Sequence, residues 1–422
     1  MATSAPAAAA GPDRPGRTPV ARTAAATATS SISRSRMCAG LRSRLQRAGG
    51  ANGLFVVDTA TGKRVCGRKG RVRRILASNM KMFTTAAALA RFGPDQQLQT
   101  TLYRSGEIGS TGVLSGNLYL VGGGDPGLAS PDFARRFLGN SATDLHELTT
   151  IVEGAGIEGV TGRLYADDTI FDRLRGVADS GFATSPYIGP LSGLDFNSGY
   201  ADSSARRFAT DPAIVAADSL ADNLRASGVQ ISSDVTLRPL PTSGTQQVGA
   251  VNSPPMEVLA NETNVYSNNF FAEMLLKNLG ARFGSGGSTR AGAVAVKRYA
   301  RGLGSGVRAV DGSGLSRGNR ATAAQVARLL DAMRDTPVAD AFANSLAVAG
   351  REGTVAGRMR GTAAAGRCRT KTGTLTGVSA LSGYCFNRSG KVMAFSILNN
   401  RVFNLSEAHR QQDRMAALIA RY

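Results

Sequence analysis

An α+β fold is predicted, with an antiparallel sheet packed between helices and interrupted by an inserted β-rich domain. Three observations lead there. Strand runs follow one another at 369–375, 378–386 and 392–399, with helical pattern before and after them, the order of an α+β layer rather than of a βαβ repeat. From 104 to 249 the texture changes to short β runs, many glycine turns and few long helices. The 422 residues also exceed what one hydrophobic core usually covers, so a chain that is 42% hydrophobic divides into modules.

Residues 1–36 are mostly Ala, Thr, Ser, Pro and Arg and have too little apolar surface to offset the entropy of ordering, so they read as a disordered basic tail. Residues 1–74 hold 15 Lys or Arg against Asp13 and Asp58, which is 13 of the net charge of +20. Such charge suits a polyanionic environment. With Phe55 the one aromatic in that stretch, it lacks the aromatic interleaving of a nucleic-acid module. The small-residue run is too weakly apolar for a secretory signal, and no transmembrane segment is legible. Patterned sequence opens at Met37.

Leu54–Asp58, the turn Thr61-Gly62-Lys63 and a return through Val65 predict a hairpin. Ser78–Ala90 predicts an apolar helix with Ser78 at its N-terminal end, closed by Gly93-Pro94. Runs at 116–121 and 162–166 are strands of the insertion. Helical pattern resumes from Pro254 to Gly280 and from 321 to 347, and a last helix spans about 405–421. One domain therefore comprises 37–103 and 250–422, with 104–249 inserted.

Three short motifs stand in order: Ser78-Asn79-Met80-Lys81, Ser267-Asn268-Asn269 and Lys371-Thr372-Gly373. Only 7 of the 50 basic residues are Lys, so fixed lysines are informative. The i, i+3 spacing puts Ser78 and Lys81 on one helical face, where an amine of lowered pKa can take the hydroxyl's proton. The apolar helix supplies burial, a second lysine could add charge, and the helix dipole favours negative charge at Ser78. N-cap roles are the bland alternative for Ser78, Ser267 and Asn269. Lys371–Thr374 lies on a β run where Gly373 permits close approach, and Lys371 with the Thr374 hydroxyl could hold a carboxylate.

Together the motifs resemble the penicillin-recognising serine enzymes. Ala77–Leu89, Gly122-Gly123-Gly124-Asp125-Pro126, Asp311-Gly312-Ser313-Gly314-Leu315-Ser316 and Lys371–Tyr384 narrow the resemblance to the D-alanyl-D-alanine carboxypeptidase/endopeptidase family, the class C low-molecular-mass penicillin-binding proteins, over about residues 40–420. The resemblance implies a β-lactamase/transpeptidase-like domain and no cofactor. It implies that Ser78 attacks the D-Ala-D-Ala carbonyl of peptidoglycan stem peptides, with Lys81 as base and Ser267 relaying a proton. Asn269 would orient the amide, Lys371, Thr372, Gly373 and Thr374 would form the substrate strand, and backbone N–H groups of Ser78 and Thr374 would make the oxyanion hole. β-Lactams would acylate Ser78, and the place of work would be extracytoplasmic, in periplasm or cell wall. Family members carry insertions between the first two motifs, which agrees with the gap from Lys81 to Ser267, whereas residues 201–210 look short. A β-lactamase-type hydrolase and a non-catalytic wall-binding protein that keeps the pocket are the rivals.

Gly122–Gly127 satisfies G-x-G-x-x-G but turns at Pro126, in surroundings that show no parallel βαβ repeat. Gly314–Gly318 satisfies G-x-S-x-G, with Asp331 or Asp340 and then His409 in hydrolase order, yet no helix is predicted directly after Ser316. No His/Cys cluster has zinc spacing. Cys368 and Cys385 are symmetric about the Thr376-Gly377 turn, so a cross-strand disulfide is feasible, and Cys38 could pair with Cys66. Four free thiols are the alternative reading.

Overall fold

The computed structural model describes residues 32–387 and 390–422. The expected tail lies outside the described residues up to position 31, and its last five positions, 32–36, are corrected, with Ile32 buried and its N–H donating to Arg421 O at 3.2 Å. Ser33 caps helix α1, Arg34–Arg47, its hydroxyl accepting from Arg36 N at 3.3 Å. The arginines of the first turn stay in solvent while Met37, Leu41 and Leu45 recur at i, i+4 and i+8 toward the core.

The other α-helices of six residues or more among the described residues are α2 Met80–Phe92, α3 Glu147–Gly154, α4 Pro212–Ala226, α5 Met256–Val265, α6 Asn269–Phe283, α7 Thr289–Gly302, α8 Ala323–Met333, α9 Ala339–Asn344 and α10 Leu405–Arg421. The principal strands are β1 Ala51–Asp58, β2 Lys63–Arg68, β3 Gln99–Ser105, β4 Leu118–Val121, β5 Leu164–Asp167, β6 Val235–Leu237, β7 Thr245–Asn252, β8 Ala347–Val348, β9 Cys368–Leu375, β10 Val378–Phe386 and β11 Val392–Asn400.

Six strands form an antiparallel sheet in the order β8-β9-β10-β11-β1-β2. Alternation along β11 divides its side chains between two cores. Ala394 and Leu398 join Met80, Phe83 and Leu330 beneath α2 and α8, whereas Met393, Phe395 and Ile397 join Leu41 of α1 and Ile419 of α10. Each fully buried Leu, Ile or Phe contributes about 1.5–3 kcal/mol by leaving water, so the two layers hold the sheet firmly from both sides.

A second, five-stranded sheet runs β6-β5-β4-β3-β7. Here β3 is antiparallel to both neighbours, but β4, β5 and β6 are parallel to one another. Leu148 and Val152 of α3 and Ala216 and Leu220 of α4 fill its core. The inserted module is thus more helical than expected, because the Ala-rich run of α4 packs on methyl groups that give a weak apolar signal. Its ladder also begins at Gln99↔Asn252, outside the 104–249 limits, since polar Gln99-Thr100-Thr101 does not read as strand. Residues 201–210 form a short loop at the Tyr200↔Phe208 bridge, with those rings 4.5 Å apart.

Disulfides join Cys38 to Cys66, with Cα atoms 5.6 Å apart, and Cys368 to Cys385, 4.1 Å apart in direct β9–β10 register. The free-thiol reading is set aside.

Candidate active site

Ser78 sits in a 3-10 turn, Ala77–Asn79, that leads into α2. Its hydroxyl caps neither segment, so the bland N-cap role is not taken and the oxygen stays available. Ala77 just before it has φ +47°, a left-handed backbone that costs an alanine about 1–3 kcal/mol. Two glycines allow a neighbouring loop and strand β9 to close on this bend. A Cβ on Gly314 would lie 2.0 Å from Ala77 O, and one on Gly373 would lie 3.1 Å from Ser78 N.

Lys81 is fully buried one turn further on. Its Nζ donates to Ser78 Oγ at 3.2 Å, Asn269 Oδ1 at 2.6 Å and Ser313 O at 2.7 Å. Three acceptors match the three protons of an ammonium, and one contact can reverse so that a neutral amine accepts from Ser78. Burial lowers the Lys81 pKa from 10.5 to about 7, against the opposing pull of Glu273 and Asp311. Burial rather than a second lysine is therefore the leading cause.

Those carboxylates are themselves enclosed. Glu273 accepts from Gly312 N and Ser313 N, at 3.0 and 2.7 Å to Oε1, and burial with Asp311 nearby raises its pKa to about 7. Asp311 accepts from Gly314 N, Ser316 N and Asn319 Nδ2 at 2.8, 2.6 and 2.6 Å, and burial moves it upward too. The Asp311–Ser316 loop is thereby shaped by two acids behind Lys81 and presents Ser313 O to the amine.

The S-x-N loop follows α5. Ser267 holds φ +62°, and Asn268, not Ser267 or Asn269, caps α6 by accepting from Phe271 N at 3.1 Å. Asn268 Nδ2 also donates to Glu262 Oε1 at 3.0 Å. Asn269 is left to bridge Lys81 and Tyr187 O of the inserted module, the latter at 2.9 Å.

On β9, Lys371 is buried with Nζ 3.1 Å from Thr372 O, its pKa driven well down by burial and then by Lys81. Thr372 Oγ1 and Thr354 Oγ1 are 2.8 Å apart, and Thr374 is exposed. Strand alternation gives Thr372 and Thr374 the outer side and Lys371 the inner one, so Lys371 and Thr374 do not share a face as a carboxylate grip would suggest.

Sequence reading missed the residues that lock the motifs together. Asn79, inside the first motif, donates to Lys371 O at 2.9 Å and accepts from Ser382 Oγ at 2.7 Å. Asn269, Glu273 and Lys277 stand at i, i+4 and i+8 of α6, a polar stripe that was legible as one helical face. Lys277 Nζ donates to Asp172 Oδ1 at 2.6 Å and Leu174 O at 2.8 Å, which ties the inserted module to α6.

Competing motifs have other work. Ser316 is buried, donating to Asp179 Oδ1 at 2.8 Å and accepting from Gly318 N at 3.0 Å. His409 lies beside Arg358 and Asp413 on α10, Asp331 pairs with Arg328 and Asp340 is exposed, so no triad assembles around Ser316. For Gly122–Gly127 one premise is corrected, because β4, α3 and β5 do make a parallel crossover. The segment nonetheless enters the short strand Leu128–Ala129 instead of opening a helix. Gly124 O accepts from Asn278 of α6 at 2.8 Å, so the run docks one module on the other.

Residues 42–209 and 196–422 match the D-Ala-D-Ala carboxypeptidase 3 (S13) family. The chain belongs to that family. It is similar to the D-alanyl-D-alanine carboxypeptidase of Actinomadura sp. (strain R39), with 34% identity over 83% of this chain and 78% of the relative. Penicillin binding protein 4 from Haemophilus influenzae superposes with a TM-score of 0.75 at 20% identity, covering 90% of this chain and 99% of the other. That protein has also been solved with a β-lactam. A predatory peptidoglycan endopeptidase from Bdellovibrio bacteriovorus matches at TM-score 0.57 and 20% identity, over 87% and 92% of the two chains. The family resemblance read from the motifs and the α+β class agree with these matches. As an S13 member the chain is a D-Ala-D-Ala carboxypeptidase, a peptidase hydrolase. Among its described residues no helix is long and apolar enough to cross a membrane, and no group of three or more His, Cys, Asp or Glu gathers as a metal site.

Proposed function

We propose that the chain cleaves D-Ala-D-Ala termini of peptidoglycan stem peptides, or their cross-links, through an acyl-enzyme on Ser78, and that β-lactams acylate the same oxygen. The observation that carries this is the 3.2 Å contact between Ser78 Oγ and a buried Lys81 whose pKa lies near 7. Ser78 Oγ attacks the carbonyl carbon of the penultimate D-Ala while its proton passes to Lys81 Nζ. The resulting oxyanion is received by the N–H groups of Ser78 and Thr374, whose backbones Gly373 brings close. On collapse the C–N bond breaks, and Ser267 passes a proton to the departing D-Ala amine. Water then attacks the ester and frees Ser78. Asn269 fixes Lys81 and orients the substrate amide, while Thr372 and Thr374 offer outward hydroxyls to the terminal carboxylate.

In a class A β-lactamase a carboxylate is free to activate water at the ester. The two acids nearest Lys81 direct their oxygens to backbone N–H groups instead, which favours the slow-turnover peptidase reading. The two disulfides fit work outside the cytoplasm, in periplasm or wall. The test is release of D-Ala from a synthetic pentapeptide. Wild type releases it, Ser78→Ala and Lys81→Met do not, and unchanged release by Ser78→Ala would refute the assignment.

A further inference from the structure

A groove of about 690 Å³ opens beside the S-x-N loop, between residues 135–141 of the inserted module and helices α5 and α9. Its size falls within the roughly 300–1,000 Å³ of small-ligand clefts. Phe137 and Tyr266 line it at 50% and 62% exposure, high values for aromatic rings on a folded surface. The rest of the lining mixes Leu138, Val258 and Ala341 with polar side chains that include Asn140, Asn261, Asn344 and Glu257. Arg135 pairs with Asp132, but Arg136 enters no hydrogen bond or ion pair among the described residues.

This combination selects a chemical class. An apolar chain would meet too many amides, and a polyphosphate would meet Glu257 and Glu262. A sugar ring has an apolar C–H face for an aromatic side chain and a rim of hydroxyl and acetamido groups for Asn and Glu. Arg136 would suit a carboxylate carried on such a sugar. The groove is also built into the site already described. Tyr266 directly precedes Ser267, and Glu262 of the groove wall accepts from Asn268 between Ser267 and Asn269.

We infer that this groove is a saccharide subsite that binds the N-acetylated amino-sugar chain to which the stem peptide is attached. The inference rests on the peptidoglycan reading above and names a second part of the substrate.

Saturation-transfer NMR with the N-acetylglucosamine tetramer, run on the full chain, tests it. Transfer to acetyl protons is expected for wild type and is expected to be lost in Phe137→Ala and in Tyr266→Ala, which remove the two rings offered to the sugar face. In parallel, kcat/KM is measured for a disaccharide-pentapeptide and for the sugar-free pentapeptide. Removal of one aromatic contact should cut the preference for the sugar-bearing substrate about three- to tenfold, with benzylpenicillin acylation unchanged. No transfer in wild type, or variants that keep both transfer and preference, would overturn the subsite. Should neither peptide be cleaved, the peptidase reading fails, and the NMR arm still decides the groove.

Discussion

If Lys81 is the base, acylation must follow its neutral fraction. At its ordinary value of 10.5 a lysine would hold roughly one neutral amine in 3,000 at pH 7, whereas at about 7 half of the molecules are poised to accept the Ser78 proton. Benzylpenicillin acylation, followed by stopped-flow or quenched mass spectrometry, should therefore rise about tenfold from pH 6 to pH 8 and level above it. The neighbouring acid sharpens the test. Glu273 favours the ammonium, so Glu273→Gln should move the inflection to lower pH, because less charge then stabilises protonated Lys81. Gln can keep Oε1 for both enclosed N–H groups but puts an NH₂ where Oε2 accepts from Gly312 N at 3.1 Å, a mismatch of about 1 kcal/mol in stability, visible as a lower Tm. A flat profile from pH 6 to 9, an inflection near 10, or an upward move in Glu273→Gln would refute the reasoning.

Other perturbations follow from the same contacts. Burial makes folded Lys81 release its proton near 7 while the unfolded chain holds it to 10.5, so the folded state binds fewer protons in that window. This group's contribution to stability then grows as pH rises through it, and Lys81→Met should remove that slope in denaturant titrations at pH 7 and 9. Asn79→Ala takes the side-chain partner from Lys371 O and leaves Ser382 Oγ with Ser396 Oγ at 2.9 Å alone, and should lower stability by about 1–3 kcal/mol by urea titration. Gly314→Ala places a Cβ 2.0 Å from Ala77 O at φ +89°, so any folded protein should acylate at least about a hundredfold more slowly, since small misplacements of reacting groups are that costly. Ser316→Ala should keep full acylation, because its hydroxyl serves Asp179. Replacing Cys368 and Cys385 together by Ala should cost about 3 kcal/mol, the loop-closure value for a bridge spanning 17 positions.

The sheet and its flanking helices were legible because hairpins with period-two apolar pattern and a terminal amphipathic helix are local signals. Even the Cys368–Cys385 pairing follows from symmetry about one turn. Helix α7 was missed because its buried face is made of small residues, Ala291, Gly292 and Ala293 beside Val296, and an interior glycine weakens a helical reading. The parallel pairing of β4 with β5 was missed because 42 residues of loop and helix separate them, and register between such strands is set by tertiary packing. At the site, Ser78, Lys81, Asn269 and Lys371 were found through motif spacing. Glu273 and Asp311 were given no role, since the polar stripe of α6 and the quoted glycine loop that Asp311 opens carry no local sign that the two acids meet behind Lys81. Their role arises only when Gly314 lets the loop close on the bend at Ala77.

The central claim is that Ser78 carries the acyl group. Intact-protein mass spectrometry after exposure to benzylpenicillin, followed by peptide mapping, addresses it directly. The account expects one penicilloyl adduct on the peptide containing Ser78, absent in Ser78→Ala and retained in Ser316→Ala. An adduct on another residue, or a folded protein that takes no adduct and leaves the drug intact, would contradict it.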